Sequence, residues 1–213
     1  HCIFLDHHPW LHWTSRKDLE LLADCESTVA HCPTVFSRRG IALNTFGAYL
    51  DHGIRMSVGT DTYPHNMLDE CRTAVMVARV IGQSVTDLDC IDVFNAATVA
   101  GADALNRSDI GRLAVGCKAD FSTIDLTSPS MRPVREPLRS LITVAGSRPV
   151  TDVFVHGEQV VSNGDVLNID FELELTRLQV AQQNMLNVVS EKDWDNRSAV
   201  ELAPLMLTTV ESI

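Results

Sequence analysis

Residues 54–61, IRMSVGTD, are the stretch of sequence that decides the fold of this chain. Apolar Ile54, Met56 and Val58 alternate with other residues, and this pattern predicts a short buried strand. The strand ends at Gly-Thr-Asp, which places the carboxylate of Asp61 at its C-terminal tip. In α/β barrels, active sites are built at that end of the strands. A carboxylate there can bind a metal and shuttle a proton, although helix N-caps and turns also favour Asp.

Strand-like and helical segments alternate on the N-terminal side of this strand. The strand-like segments are residues 1–5 and 27–31, the helical ones are residues 15–25 and 44–52, and a loop is predicted over residues 32–40. Thr14 or Ser15 can cap the first helix. The order is therefore βαβαβ with short connections, which predicts parallel strands covered by helices.

The pattern changes on the C-terminal side. Asn66 can cap a helix that runs to about Ile81, and a second helical stretch covers residues 86–105. After Gly111 the apolar residues alternate instead, which predicts short antiparallel strands within residues 112–126 and 150–166, with a turn at Asn163-Gly164. Residues 171–189 form a final amphipathic helix.

Composition and charge exclude several classes of protein. The chain has 213 residues, of which 45% are hydrophobic, as is usual for a globular protein. A net charge of -11 argues against a nucleic-acid partner, since phosphate contacts need clustered Lys and Arg. No apolar run approaches the roughly 20 residues of a membrane span, so we expect no membrane partner. The six cysteines have no C-x-x-C spacing and indicate reduced thiols in a cytoplasmic protein.

Polar residues at three strand tips are the first candidates for chemistry. The first strand offers His1 or Asp6, the second His31 and the third Asp61. Tips of parallel strands meet on one face of a barrel, and imidazole with carboxylate suits a divalent transition metal. A single His is more often an ordinary hydrogen-bonded residue than a ligand, so the candidate metal site depends on the three tips together.

Two loops are weaker candidates for substrate binding. Trp10 lies in a loop rich in His and Trp, which could line a pocket for a flat ring or could be an ordinary surface loop. Arg38 could bind an anionic or carbonyl-bearing substrate, or be a solvated loop residue. The segment from Gly111 to Lys118 is no phosphate-binding loop, because Lys does not directly follow the second Gly.

Several segments together resemble the amidohydrolase superfamily, and within it the aminohydrolase and chlorohydrolase branch. Three segments resemble the ends of the family's last barrel strands: His1-Cys2 resembles the sixth, Val29-Ala-His31-Cys-Pro33 the seventh, and Val58-Gly-Thr-Asp61 the eighth. Two further segments resemble the family's small β-domain, namely Gly111-Arg-Leu-x-Val-Gly116-x-Lys118-Ala-Asp120 and Val153-x-Val155-x-Gly157-x-x-Val160. The resemblance covers about residues 1–166, and the order and spacing of these motifs make it specific.

The resemblance implies an α/β fold: the C-terminal portion of a (β/α)8 TIM-like barrel followed by a small β-domain, a composite β-sandwich. It divides the chain into a partial barrel domain over residues 1–108, a small β-domain segment over residues 109–168, and a C-terminal helix and tail over residues 169–213. Residues upstream of His1 would supply the family's His-x-His pair and its fifth-strand His. We therefore expect the enzyme to be the longer parent, and the chain alone to be inactive and to bind metal poorly.

The resemblance also implies an activity, namely hydrolysis of a C–N bond by deamination or dechlorination-type hydrolysis of a cyclic amidine or heteroaromatic ring. Asp61 would ligate one divalent metal ion, zinc or alternatively iron, and would take a proton from bound water. His1 would polarise the substrate or orient that water, and His31 would border the substrate pocket. His65 departs from the small residues usual at its place and is expected to be a pocket residue. The partners implied are a small heterocyclic substrate and, in the full-length form, further copies of the same chain.

A non-catalytic short protein with a binding or structural role, derived from an amidohydrolase, is the alternative. A His-x-His strand upstream of His1 would exclude it, whereas a start codon just upstream would support it. A phosphate-binding barrel isomerase is a further alternative, but its glycine-rich loops after the last two strands are absent here.

Overall fold

The computed structural model describes residues 2–4, 15–43, 46–63, 65–146 and 149–207, with the backbone alone at residues 2–4. The described strands are β1 (Cys2–Phe4), β2 (Thr28–His31), β3 (Arg55–Val58), β4 (Phe121–Ile124), β5 (Val150–Val155), β6 (Glu158–Ser162) and β7 (Asp165–Val166). The described helices are α1 (Arg16–Asp24), α2 (Pro33–Ser37), α3 (Phe46–Asp51), α4 (Met67–Gly82), α5 (Cys90–Ala97), α6 (Val99–Ala104), α7 (Pro137–Val144), α8 (Phe171–Lys192) and α9 (Ala199–Leu202).

The first three strands form a parallel sheet in the order β1-β2-β3. Val29 lies opposite Met56, and His31 at the end of β2 lies opposite Val58 at the end of β3. Helix α1 connects β1 to β2, and helices α2 and α3 connect β2 to β3. The predicted βαβαβ order with parallel strands is therefore confirmed.

One buried apolar cluster holds this sheet to its helices. It includes Val29 and Met56 from the strands, together with Val75 of α4, Val93 of α5 and Ile142 of α7. Each of these five side chains is at most 2% exposed. Burial of apolar surface on this scale is the main term that stabilises such a layered fold.

Ser15 caps the first helix, as one of the two predicted candidates. The Asp18 backbone N–H donates to Ser15 Oγ at 3.3 Å, and the Ser15 backbone N–H donates to Asp18 Oδ2 at 2.8 Å. This reciprocal arrangement is a capping box, which satisfies amide groups that have no partner within the helix.

Three helical segments differ from the sequence-based expectation. The loop predicted over residues 32–40 contains α2, because a proline is well accommodated at the first position of a helix, where Pro33 lies. The helix predicted over residues 86–105 is broken at Thr98, whose hydroxyl donates to the Phe94 carbonyl at 2.7 Å. Helix α7, for which no prediction was made, buries Leu141 and Ile142.

The last four strands form a separate antiparallel sheet in the order β4-β5-β6-β7. Phe121 of β4 stacks on Phe154 of β5 with ring centroids 4.5 Å apart. Asn163 and Gly164 both have positive φ, as the predicted turn requires. Antiparallel pairing is thus confirmed, although residues 112–120 contain no strand. The division into domains near residues 108 and 168 remains a prediction.

The chain separates into two compact units, His1–Asp165 and Val166–Ile213. The second unit contains α8, a 22-residue helix most of whose apolar residues, Phe171, Leu178 and Met185 among them, are exposed. Within the described part of the chain, every helix is too short or too polar to cross a membrane.

Candidate functional site

The candidate site lies where β2 and β3 end. The backbone N–H of Gly59 donates to the carbonyl of His31 at 3.0 Å, so the loop after β3 starts directly beside the last residue of β2. The structure therefore brings together the His31 and Asp61 loops, as expected for successive tips of a parallel sheet.

Asp61 has a left-handed backbone, with φ of +54°, and it is exposed to solvent. Most residues with a β-carbon avoid this region, whereas Asp and Asn adopt it more readily. The turn at Asp61 ends the run from β3 and starts the loop that leads to α4. Asp61 thus presents an exposed carboxylate on a defined turn, three residues beyond the last residue of the strand.

His65 closes the same loop through its side chain. Its Nδ1 lies 3.0 Å from the hydroxyl oxygen of Thr60, and His65 itself is exposed. Because this contact engages Nδ1, Nε2 is the ring nitrogen with which His65 could bind a substrate. The prediction that His65 is a pocket residue is compatible with this geometry.

His31 and Arg38 have different environments. His31 is 5% exposed, and its ring meets the edge of Phe46 with centroids 5.9 Å apart. Arg38 is exposed and caps the C-terminus of α2. Burial raises the pKa of the Glu70 carboxyl, and the positive charge of Arg38 opposes part of that rise. His1 and Trp10, the other predicted site residues, lie outside the described residues.

Glu70 is a buried acid beside the site that the sequence analysis did not identify. It is 1% exposed, and its Oε2 accepts a hydrogen bond from the Thr34 backbone N–H at 2.9 Å. Burial raises the pKa of its carboxyl, and the hydrogen bonds from Thr34 oppose that rise. A signal existed in the sequence, because Glu70 falls among Met67, Cys71 and Ala74 on the apolar face of a helix.

Cys32 is a second buried group that the predictions omitted. Burial, with Asp61 and Glu70 as neighbouring negative charges, raises the pKa of its thiol to about 11. The backbone N–H groups of Gly59 and Asp61 face its sulfur. A β-carbon on Gly59 would lie 3.3 Å from that sulfur, which measures how closely the loop after β3 packs on Cys32.

The buried thiols of the site region should resist alkylation. Burial raises the pKa of Cys71 to about 11, so that about one thiol in a thousand is ionised at pH 8. Cys25, in contrast, is exposed. Iodoacetamide at pH 8 should modify Cys25 at least about 100-fold faster than Cys71. Peptide mass spectrometry over time measures both rates, and similar rates would show that α4 is not packed as described.

The donor groups for a metal are incomplete among the residues that the structure describes. No group of three or more His, Cys, Asp or Glu side chains within that part of the chain could hold a metal ion. Asp61 fits as one ligand, since it is an exposed carboxylate at a strand tip. Glu70 and Cys32 do not fit, because both are buried and Glu70 is occupied by Thr34.

Comparisons with known proteins identify the family of this chain. A family model described as the amidohydrolase family matches residues 1–160. The 5-methylthioadenosine/S-adenosylhomocysteine deaminase of Pyrococcus horikoshii is 32% identical over 164 residues, which are 75% of this chain and 39% of that enzyme. The enzyme of the same name from Bacillus thuringiensis is 32% identical over 156 residues, which are 71% of this chain and 36% of that enzyme.

Solved structures give a similar result. An adenosine deaminase from Xanthomonas campestris with bound zinc superposes with a TM-score of 0.76 at 27% identity, covering 80% of this chain and 40% of that one. An atrazine chlorohydrolase from Arthrobacter aurescens, complexed with zinc, gives 0.73 at 26% identity, covering 79% and 38%. The chain therefore spans about two fifths of the length of the relatives that it matches.

Proposed function

The chain belongs to the amidohydrolase family, and from this premise we propose that it forms the C-terminal part of a metal-dependent hydrolase that cleaves a C–N bond. The family implies a barrel-type α/β fold, which agrees with the parallel sheet β1-β2-β3. In this proposal the sheet supplies strands six to eight of the barrel, and the antiparallel sheet belongs to a small β-domain beside it.

The observation that carries the proposal is the exposed carboxylate of Asp61 on a left-handed turn beside the end of β2. The left-handed backbone is accessible to Asp, and here it holds the carboxylate on a defined turn directly after the strand. A reactive group held on a rigid strand tip is typical of barrel enzymes. Membership of the amidohydrolase family supports the proposal that Asp61 is a metal ligand and a proton acceptor.

Asp61 would hold one divalent cation, zinc or alternatively iron, and the further ligands would come from residues outside the described part of the chain. When bound, such a cation polarises a water ligand and lowers its pKa towards about 7. An Oδ atom of Asp61 would take a proton from the attacking water and pass it to the leaving nitrogen. His1, which lies outside the described residues, would polarise the substrate or orient that water.

The remaining residues would bind the substrate. His31 would border the pocket at the end of β2, and His65 would approach from the loop after β3 with its Nε2. Trp10 would stack on a flat ring, and Arg38 would bind a carbonyl or anionic group. The relatives named as deaminases of adenosine derivatives favour an amino-substituted purine as substrate. A homo-oligomeric enzyme and a cytoplasmic location are also part of the proposal.

Release of ammonia from an aminopurine tests the function. The enzyme that contains this chain, loaded with zinc, should release ammonia from S-adenosylhomocysteine, 5-methylthioadenosine or adenosine. Removal of the metal with a chelator should abolish turnover, and added zinc should restore it. A chlorotriazine, assayed for chloride release, is the matched substrate for the dechlorination reaction.

Each outcome of this assay separates the candidates. Ammonia release identifies a deaminase, and chloride release alone identifies the hydrolase as a dechlorinating enzyme. Metal-independent turnover would contradict the role given to Asp61. Absence of both products in a protein that is folded and zinc-loaded would favour the non-catalytic alternative.

A further inference from the structure

Glu70 acts as a distant cap for helix α2. Pro33 occupies the first position of that helix and has no N–H, so Thr34 supplies its first backbone donor. Cys32, the residue at the N-cap, makes no side-chain capping bond. The donor is satisfied instead by Glu70, whose Oε2 lies 2.9 Å from the Thr34 nitrogen. A side chain 36 residues away thus performs the task that a local Ser or Asp usually performs.

Burial of this carboxyl is costly, so its location requires a reason. Glu70 is 1% exposed, as are its neighbours Cys71 and Ala74 on the same face of α4. An apolar residue could fill such a position without losing hydration. The charged groups that face Glu70 are Asp69, which opposes its ionisation, and Arg38, which favours it. The hydrogen bonds from Thr34 are the specific contacts that an apolar residue could not replace.

The hydrogen bond between Glu70 and Thr34 connects the segment that follows His31 with the helix that follows the Asp61 loop. Thr34 is three residues after His31, and α2 follows β2 with Cys32 as its N-cap. Glu70 lies in the first turn of α4, which is capped by Asn66 immediately after the loop of Asp61 and His65. The Asn66 side chain accepts from the Leu68 N–H at 3.2 Å and fixes this start. Glu70 therefore joins the segment after His31 to the segment after Asp61.

Cys32 provides a second contact between the same segments. Its sulfur packs against Gly59 and faces the N–H groups of Gly59 and Asp61. The loop after β3 is thus held against the β2–α2 junction where it begins, through Cys32, and where it ends, through Glu70. If α2 moved away from Glu70, Cys32 at the start of α2 would move away from Gly59, and its thiol would become exposed to solvent.

We propose that Glu70 is a positioning residue, which sets the placement of His31 relative to Asp61 by holding α2 against α4. The proposal rests on the proposed function for its catalytic consequence, but the structural connection does not depend on any activity. A misplacement of about 1 Å caused by a residue far from the chemistry can lower turnover by about 100-fold, so Glu70 can affect turnover without touching the substrate.

Two substitutions separate this role from a purely structural one. Glu70→Met keeps the volume and the helix preference of the side chain but removes the acceptor. Glu70→Gln keeps an oxygen that can accept from the Thr34 N–H. Arg72→Met is the matched control, since Arg72 lies on the same helix and, within the described part of the chain, has no hydrogen bond to α2. Arg72 donates to the carbonyls of Ile142 at 3.1 Å and Ala145 at 2.7 Å and to Asp69 of its own helix at 2.8 Å.

Steady-state kinetics of the enzyme that contains this chain, at a temperature where circular dichroism shows each variant to be folded, gives the first readout. We expect Glu70→Met to lower kcat by about 10- to 100-fold. Glu70→Gln should stay within about threefold of the wild type, because the hydrogen bond is restored. Arg72→Met should lower the melting temperature and leave kcat unchanged. An unchanged kcat in Glu70→Met, or an equal loss in Glu70→Gln, would overturn the proposal.

Alkylation of Cys32 gives a second readout that needs no turnover. Iodoacetamide labelling of Cys32, followed by peptide mass spectrometry, should be at least about 10-fold faster in Glu70→Met than in the wild type or in Glu70→Gln. Cys90, buried elsewhere in the same unit, should react at the same rate in all three. Equal labelling of Cys32 in Glu70→Met and the wild type would overturn the connection. If the wild type has no hydrolase activity, the proposed function fails, and this labelling still decides the role of Glu70 in holding α2.

Discussion

Replacing Asp61 with Asn should lower kcat of the enzyme by about 10²- to 10⁴-fold, the range that a proton-transferring group contributes. Asn keeps the size of the side chain and, like Asp, tolerates the left-handed backbone observed at this position. The substitution therefore removes the charge and the proton acceptor while the turn remains. Steady-state kinetics with zinc-loaded protein measures the loss.

Asp24→Asn is the control for this experiment. Asp24 is an exposed acid at the end of α1, before β2 begins, and thus at the opposite end of the parallel sheet from Asp61. It should change neither kcat nor, by more than about 0.5 kcal/mol, the free energy of unfolding. Near-normal turnover in Asp61→Asn, or an equal loss in both variants, would remove Asp61 from the mechanism.

Gly47→Ala should lower the free energy of unfolding by about 2–3 kcal/mol. Gly47 is buried in α3, and a β-carbon there would collide with the backbone carbonyl oxygen of Asp87. A backbone atom cannot rotate away as a flexible side chain can, so the segment before α5 would have to shift. Urea denaturation followed by circular dichroism measures the change.

Gly101→Ala is the matched control, since Gly101 also lies inside a short helix. Its β-carbon would have the Ala96 carbonyl oxygen as nearest neighbour, at 3.5 Å, which is an ordinary contact. Without a collision, Ala should stabilise α6 by about 0.5–1 kcal/mol, because Ala favours a helix over Gly by that amount. If the two variants were equally stable, the close approach of Asp87 to α3 would be wrong.

The parallel sheet was predictable because its signals are local. Ile54, Met56 and Val58 alternate over one strand, and Gly53 and Asn66 mark the adjoining helix boundaries. The short connections then leave parallel pairing as the simplest arrangement. The convergence of His31 and Asp61 at one end of the sheet follows from this topology without further information.

Features that depend on the exact path of a loop, or on contacts distant in the sequence, were not predictable. Pro33 is equally typical of a loop and of the start of a helix. The N-terminus of α2 is capped by Glu70, which belongs to another helix and is 36 residues away from Thr34 in the sequence. The left-handed turn at Asp61 and the contact of Thr60 with His65 depend on how the loop returns to α4. The capping role of Glu70 could be recognised only from the structure, which shows that its partner is the backbone N–H of Thr34.

Helix α4 and the loop before it differ in their capacity for evolutionary change. The helix is joined to α2 through Glu70 and to the end of α7 through Arg72, so most substitutions at these positions would disturb more than one element. In contrast, Thr62, Tyr63 and His65 are exposed. Exposed loop residues usually change stability by no more than about 0.5 kcal/mol when substituted. A lineage could therefore vary this loop to acquire new substrates while the inherited framework stays intact, and this division makes the site evolvable.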